Sequence, residues 1–97
     1  MKRLHLFISG SVQGVCYRMY TREKARQLGL TGWVRNLSDG RVEAQGQGSD
    51  EQLSQWLVLL QEGPHLSRVR GIEQSDISCE SQESSFKPYF CTLRCNT

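Results

Sequence analysis

The sequence predicts an α+β domain in which two helices pack on one face of an antiparallel sheet. Three observations lead to this fold class: short runs in which apolar and polar residues alternate, two segments with helical periodicity, and their order along the chain, β-α-β-β-α-β. Each predicted helix has a single apolar stripe to bury, which suits one face of a sheet. With 97 residues, the chain is long enough for one such domain.

The first predicted strand and the first predicted helix flank a short loop. Residues 4–9 alternate as a half-buried strand requires, and residues 18–28 carry one apolar stripe with the charges elsewhere, as a helix requires. Gly29 enters the left-handed conformation freely and is therefore a natural end of that helix. The core-facing positions are Leu4, Leu6 and Ile8 in the strand, and Thr21, Ala25 and Leu28 in the helix.

A hairpin is predicted next. Residues 31–36 and 41–46 are β-type runs on either side of Ser38-Asp39-Gly40. Asp-Gly between two such runs is a strong hairpin signal, because the turn needs positive φ angles. Gly46 and Gly48 form only a G-x-G, whereas a dinucleotide-binding fingerprint needs a third glycine and a parallel sheet. We interpret these two glycines as local bends.

The second helix is predicted over residues 49–62. Ser49 and Gln52 have the spacing of a capping box, and two acidic residues follow Ser49 in the first turn. Gly63-Pro64 ends the helix. Its apolar stripe consists of Leu53, Trp56, Leu57 and Leu60.

The remaining residues predict one strand and an edge element. Residues 66–78 form a strand with a bulge near Gly71, because the apolar residues on either side of it are three positions apart. Residues 79–85 are polar and predict a loop. Residues 86–93 have the pattern of a last strand, which Pro88 restricts to a sheet edge. The whole order is that of a ferredoxin-like βαββαβ sandwich with four or five strands, a fold that does not by itself decide function.

Composition points to a soluble protein of the cytoplasm. The net charge is +2 with most of the basic residues in the N-terminal half, a weak preference for anionic ligands. The four cysteines lack the paired spacings of a secreted disulfide scaffold, and the histidines are too few to complete a zinc site with them. The apolar run near the N-terminus is too short for a signal peptide, and no segment is long enough to span a membrane.

The loop of residues 11–18, SVQGVCYR, carries the chemistry. It has no lysine after Gly14, which excludes a Walker phosphate loop. Cys16 and Arg18 are separated by one residue, too few for the loop of a cysteine-nucleophile phosphatase to wrap a phosphate. We therefore interpret Cys16 as a thiol without a catalytic role.

An anion-binding loop is the interpretation that remains. Unpaired N–H groups at a helix start can point at one oxyanion, Gly14 lets the backbone approach it, and Arg18 adds a planar fork of donors. Arg18 alone is equally consistent with a solvated helix arginine. Asn36, at the end of the strand before the hairpin, is either a turn residue or a group that positions a nucleophile.

At this point the motifs resemble those of the acylphosphatase family. The strings are V-Q-G-V-C-Y-R, then L-G-L-T-G-W-V-R-N-L-S-D-G-R-V-E, then G-P after the second helix, and the resemblance runs from about Leu4 to Phe86. V-Q-G-V-x-x-R alone also occurs in related domains of larger carbamoyl-phosphate-handling proteins. The second string favours the stand-alone enzyme.

The resemblance implies an enzyme that hydrolyses acyl phosphates to a carboxylate and inorganic phosphate, without metal or cofactor. It implies that Arg18 binds the phosphate and that Asn36 positions the attacking water. The implied phosphate-binding residues are Ser11, Val12, Gln13, Gly14, Val15, Cys16, Tyr17 and Arg18.

Further expectations concern partners and boundaries. We expect a monomer that acts on a small molecule, is inhibited by inorganic phosphate, and has no nucleic-acid or membrane partner. Residues 1–86 are expected to form the domain, and residues 87–97 an extension of unknown role. The alternative is a non-catalytic module of the same fold that binds anions or RNA, but residues 41–47 lack the aromatic residues on which RNA bases would stack.

Overall fold

The computed structural model describes residues 1–13, 16–65, 67–80 and 86–88. Within these ranges the chain forms β1 (Lys2–Ser11), α1 (Tyr17–Gln27), β2 (Thr31–Asn36), β3 (Val42–Gly48), α2 (Asp50–Glu62), β4 (Arg68–Ile77) and β5 (Phe86–Pro88). The predicted order is confirmed, and the bounds of the first six elements lie within two residues of the predicted ones. Neither of these helices is long and apolar enough to cross a membrane.

The strands form one sheet in the order β4-β1-β3-β2-β5. The first four strands are antiparallel to their neighbours, as predicted, whereas β5 pairs in parallel with β2 at the far edge. The direction of β5 follows from the path of the chain. Strand β4 ends level with the start of β1, and Glu80 already bonds to Gln47 at that same end of the sheet. Phe86, the first residue of β5, pairs with Gly32 near that same end, so β5 starts there and runs in the direction of β2.

The predicted bulge in β4 is confirmed. Ser9 of β1 pairs with Gly71, but Gly10 pairs with Val69, so that Arg70 is the extra residue of β4. Gly10 has a φ of 127°, and a Cβ atom there would lie 2.0 Å from the carbonyl oxygen of Arg68. The two strands approach too closely at this point for any residue other than glycine.

Both helices pack on one face of the sheet, and the core centres on the fully buried Trp56 of α2. Its indole N–H donates to the carbonyl of Thr21 at 3.2 Å, and its ring meets Phe86 edge-on at 5.6 Å between centroids. A Cβ atom on Gly46 would lie 2.3 Å from the Trp56 ring. The interpretation of Gly46 and Gly48 as bends is therefore wrong: β3 continues through both, and their missing side chains make room for the core.

The capping box of α2 is confirmed. The Ser49 hydroxyl accepts from the N–H of Gln52 at 3.1 Å, and the Gln52 side chain accepts from the N–H of Ser49 at 2.7 Å. At the other end of α2, two tyrosines of α1 donate to backbone carbonyls. Tyr17 donates to Leu60 at 2.6 Å and Tyr20 donates to Leu59 at 2.9 Å. Tyr17 supplies a donor to the Leu60 carbonyl in the last turn of α2, and Tyr20 adds a second donor to the Leu59 carbonyl, which already accepts from the N–H of Gly63 at 2.9 Å.

On the opposite face of the sheet, the carboxylate of Glu43 connects three strands through its contacts. Glu43 of β3 is only 6% exposed. It contacts His5 of β1 at 2.6 Å and accepts from Arg35 of β2 at 2.5 Å. These contacts help to fix the register of β2, and thereby the position of Asn36 at its end.

Candidate active site

The loop after β1 and the end of β2 lie at the same end of the sheet. In the strand register, Ile8 of β1 and Asn36 of β2 both pair with Val42 of β3. Asn36 is two residues after the buried Val34, and alternate residues of a strand share a face. The Asn36 side chain therefore lies on the helix-covered face, at the end of the sheet from which the loop leads into α1.

Helix α1 begins without any of the usual caps. Its N-cap residue, Cys16, has left-handed backbone angles, φ 63° and ψ 23°, and its side chain makes no capping hydrogen bond. No acidic residue lies in the first turn, whereas α2 has a complete capping box and two acidic residues there. The first N–H groups of a helix have no partner within it, and the dipole makes them electropositive. The start of α1 is thus electropositive and favours an anion.

Arg18 lies in this first turn and is half-buried. A cation at a helix N-terminus is unfavourable unless negative charge is brought to it. A guanidinium presents five N–H donors in a planar fork, which matches the oxygens of a phosphate. Arg18 and the amides of the first turn are therefore donors of the kind from which an oxyanion accepts.

Asn36 has an acceptor without a partner. The side chain is half-buried, and its Oδ1 atom is buried with no hydrogen-bond partner in the part of the chain that the structure describes. Leaving such an acceptor unpaired costs roughly 1–3 kcal/mol, so a donor from outside the protein is favoured there. In the turn that follows Asn36, the carboxylate of Asp39 accepts from the N–H of Arg41 at 3.1 Å.

The other loop residues that the structure describes differ in how far their side chains are exposed. Ser11 is the exposed last residue of β1, and the side chain of Val12 is fully buried in the core. Tyr17 is 1% exposed, and burial, with the nearby Tyr20 as a second cause, raises its pKa far above the usual value. Val12 and Tyr17 can therefore offer a ligand only their main-chain groups. Gly14 and Val15 lie outside the described residues.

Gln13 has a role that the sequence did not indicate. Its side-chain amide donates to the carbonyl of Leu37 at 2.7 Å and to that of Arg41 at 2.8 Å. These two residues bound the turn between β2 and β3. A glutamine bonded to two backbone carbonyls 24 and 28 positions away leaves no local signature, so only the fold reveals it.

The described cysteines and acidic residues do not cluster around a candidate metal. Cys16 and Cys79 are exposed free thiols, and Cys91 and Cys95 lie outside the described residues. No group of three histidine, cysteine, aspartate or glutamate side chains suited to hold a metal is found within the ranges that the structure covers.

The chain is similar to known proteins over most of its length. The model of a family described as Acylphosphatase matches residues 4–88. An acylphosphatase of Methylococcus capsulatus is 44% identical over 86 residues, which are 89% of this chain and 94% of that protein. The crystal structure of acylphosphatase from Bacillus subtilis matches with a TM-score of 0.88 and 28% identity, over 92% of this chain and 99% of that one. An acylphosphatase structure from Coxiella burnetii matches at 0.86 and 38% identity, over 91% and 92%.

Proposed function

The chain belongs to the acylphosphatase family and hydrolyses acyl phosphates, and we propose that Arg18 and Asn36 divide this reaction between them. Arg18 and the main-chain amides of residues 11–18 hold the phosphoryl group, and Asn36 positions the attacking water. The observation that carries this proposal is the start of α1, which has neither a side-chain cap nor an acidic residue but does have an arginine. The enzymatic activity replaces the alternative of a non-catalytic module.

The left-handed residue before α1 supports the binding of phosphate. A residue with positive φ directly before a helix turns consecutive N–H groups toward the same side, which forms a concave anion site. Phosphoryl transfer requires mainly positioning and stabilisation of charge on the phosphoryl oxygens. Amides and a guanidinium supply both without a metal ion, and we propose that the enzyme needs none.

The unpartnered Oδ1 of Asn36 supports the positioning of water. A water that donates one hydrogen bond to this atom has a lone pair left for attack on phosphorus. Its oxygen bonds to phosphorus in line with the bond between phosphorus and the acyl oxygen. That bond breaks, the electron pair leaves with the carboxylate, and one water proton passes to a phosphoryl oxygen of the substrate.

The leaving group explains why no general acid is required. The conjugate acid of a carboxylate has a pKa of about 4, so the carboxylate leaves without being protonated. The proton of the water goes to the substrate itself, which removes the need for a separate base. Two positioned side chains and a set of amides are then sufficient.

The remaining proposals concern the setting of the enzyme. We propose a cytoplasmic monomer that acts on small-molecule acyl phosphates, is inhibited competitively by its product phosphate, and has no nucleic-acid or membrane partner. Competitive inhibition follows because phosphate fits the same amides and guanidinium as the substrate. For the C-terminal part, we propose that residues 87–97 extend the domain of residues 1–86; residues 89–97 lie outside the described ranges.

The test is the hydrolysis of benzoyl phosphate in excess chelator, with inorganic phosphate as competitor. Arg18→Gln should lose both turnover and inhibition by phosphate, because each charged hydrogen bond is worth about 1.5–3 kcal/mol and the pair together a few hundredfold in rate. Arg26→Gln, at an exposed position in the last turn of the same helix, is the matched control and should behave as the parent. Near-normal turnover by Arg18→Gln would show that another residue binds the phosphate.

A further inference from the structure

We propose that the side chain of Gln13 is a positioning residue, which sets the distance between the phosphate-binding loop and Asn36. This inference rests on the proposed function, in which the loop holds the phosphoryl group and Asn36 holds the water. The two groups belong to different parts of the chain, and Gln13 joins them.

The amide of Gln13 uses both of its N–H donors on the same structural unit. Its Nε2 atom lies 2.7 Å from the carbonyl oxygen of Leu37 and 2.8 Å from that of Arg41. A primary amide carries two donors on one nitrogen, so a single side chain can satisfy both carbonyls at once. The side chain is thereby directed to the hairpin, and only the main chain of Gln13 is left for phosphate.

The turn that Gln13 binds directly follows Asn36 in the chain. Leu37 directly follows Asn36, and its N–H donates to the Arg41 carbonyl at 2.8 Å. Gly40 donates back to the Leu37 carbonyl at 3.2 Å, and the Asp39 carboxylate accepts from the Arg41 N–H. Residues 37–41 thus form a turn held by its own hydrogen bonds. Because Asn36 directly precedes this turn, the two hydrogen bonds from Gln13 also restrain the position of Asn36.

The loop itself is fastened to the core on both sides of its centre. Val12 is fully buried, and the Tyr17 hydroxyl donates to Leu60. These anchors fix the loop relative to the helices and the sheet interior, and Gln13 fixes it relative to the hairpin. A misplacement of about 1 Å between reacting groups can lower a rate by about a hundredfold, so a short tie of this kind affects catalysis more than affinity.

Gln13→Met keeps the length of the side chain and removes its donors. We expect the kcat for benzoyl phosphate to fall at least about tenfold while the inhibition constant of phosphate stays within about threefold, because the loop amides and Arg18 are retained. Gln13→Asn keeps the amide but shortens its reach by one methylene group. It should likewise lower kcat and leave the inhibition constant of phosphate within about threefold. Gln55→Met, on the exposed surface of α2, is the matched control and should leave both constants unchanged.

A double-mutant cycle with Asn36→Ala separates positioning from a structural effect. Because Gln13 acts through Asn36, Gln13→Met should lower kcat less than about threefold further in the Asn36→Ala background. The inference is overturned if the two effects multiply fully, if kcat of both Gln13 variants equals that of the parent, or if phosphate binding weakens as much as kcat. Should Gln13→Met fail to fold, Gln13→Asn alone decides between these outcomes.

The same measurements distinguish this inference from the function on which it depends. Full activity of Arg18→Gln and Asn36→Ala would refute the proposed function. Loss of activity in those two variants, together with parental kcat in the Gln13 variants, would refute the role of Gln13 alone.

Discussion

At the scale of single residues, the Oδ1 atom of Asn36 is a buried acceptor without a partner in the described part of the chain. Asn36→Ala removes the unpartnered Oδ1 that we propose positions the water, and leaves Arg18 and the loop amides in place. Loss of one positioned polar group of this kind typically lowers kcat by about 10²–10³-fold. We therefore expect kcat for benzoyl phosphate to fall by that factor while phosphate remains a competitive inhibitor. Loss of the inhibition would indicate that Asn36 contacts phosphate rather than water.

The backbone of Cys16 matters more than its thiol. Its φ of 63° is the only positive value among the non-glycine residues that the structure describes. We expect Cys16→Ala and Cys16→Gly to keep the parental kcat, because neither changes the amides of the loop. Cys16→Val places a β-branched residue in the left-handed region and should lower the free energy of unfolding by about 1–2 kcal/mol.

Urea denaturation and the inhibition constant of phosphate check the Cys16 series. The valine variant should also bind phosphate more weakly than the glycine variant, because strain at this position disturbs the convergence of the N–H groups. Equal stability of the two variants would contradict the importance of the left-handed conformation. A folded but inactive alanine variant would instead restore a catalytic role for the thiol.

Some features of the site were predicted from the sequence, and others were found only in the structure. Arg18 and Asn36 were predicted because their motifs resemble those of a known family and because each residue type suits its chemistry. The conformation of Cys16 and the contacts of Gln13 were not predicted. The contacts of Gln13 join residues that are far apart in the chain, and the left-handed angles of Cys16 have no signature in its residue type.

At the scale of elements, the N-termini of the two helices are capped differently. The start of α2 is closed by its own capping box, whereas the start of α1 has neither a side-chain cap nor an acidic residue in its first turn. The end of α2 has no basic residue in its last turn, and two tyrosines of α1 donate to the carbonyls of Leu59 and Leu60 there. The capping box was readable from the sequence, because its two partners are three residues apart. The tyrosine bonds were not, because they connect different helices.

Burial of Tyr17 should make the protein sensitive to alkaline pH. Its pKa is raised by desolvation, so the folded state keeps the phenol proton at pH values where the unfolded chain loses it. The stability that Tyr17 contributes is complete below the ordinary tyrosine pKa of about 10 and declines as the pH rises above that value.

Tyr17→Phe tests this linkage. At neutral pH it should lower the free energy of unfolding by about 1–2 kcal/mol, because the buried Leu60 carbonyl loses its donor. Between pH 7 and 11, its stability should decline less steeply than that of the parent in urea denaturation. Tyr20→Phe, at a more exposed position, should change the slope less. Parallel pH profiles of Tyr17→Phe and the parent would contradict the assignment.

At the scale of the whole molecule, the predicted fold class was correct and the arrangement of its last strand was not predictable. The order β-α-β-β-α-β follows from periodicity, because each element has its own hydrophobic pattern. The parallel pairing of β5 with β2 joins residues that are far apart in the chain, which no local pattern records. Gly46 was misinterpreted for the same reason, since the Trp56 ring that excludes a side chain there belongs to a different element.

The small strand β5 also has a consequence for how the protein behaves at high concentration. A free edge of β2 would offer a row of unpaired N–H and C=O groups to a second chain, and such edges promote aggregation. Three residues of β5 occupy that edge, and the last of them is a proline, which lacks the N–H needed to recruit another strand. The opposite edge, β4, is lined with exposed charged residues that discourage the same pairing. Both edges of the sheet thus carry features that disfavour pairing with the strands of a second chain.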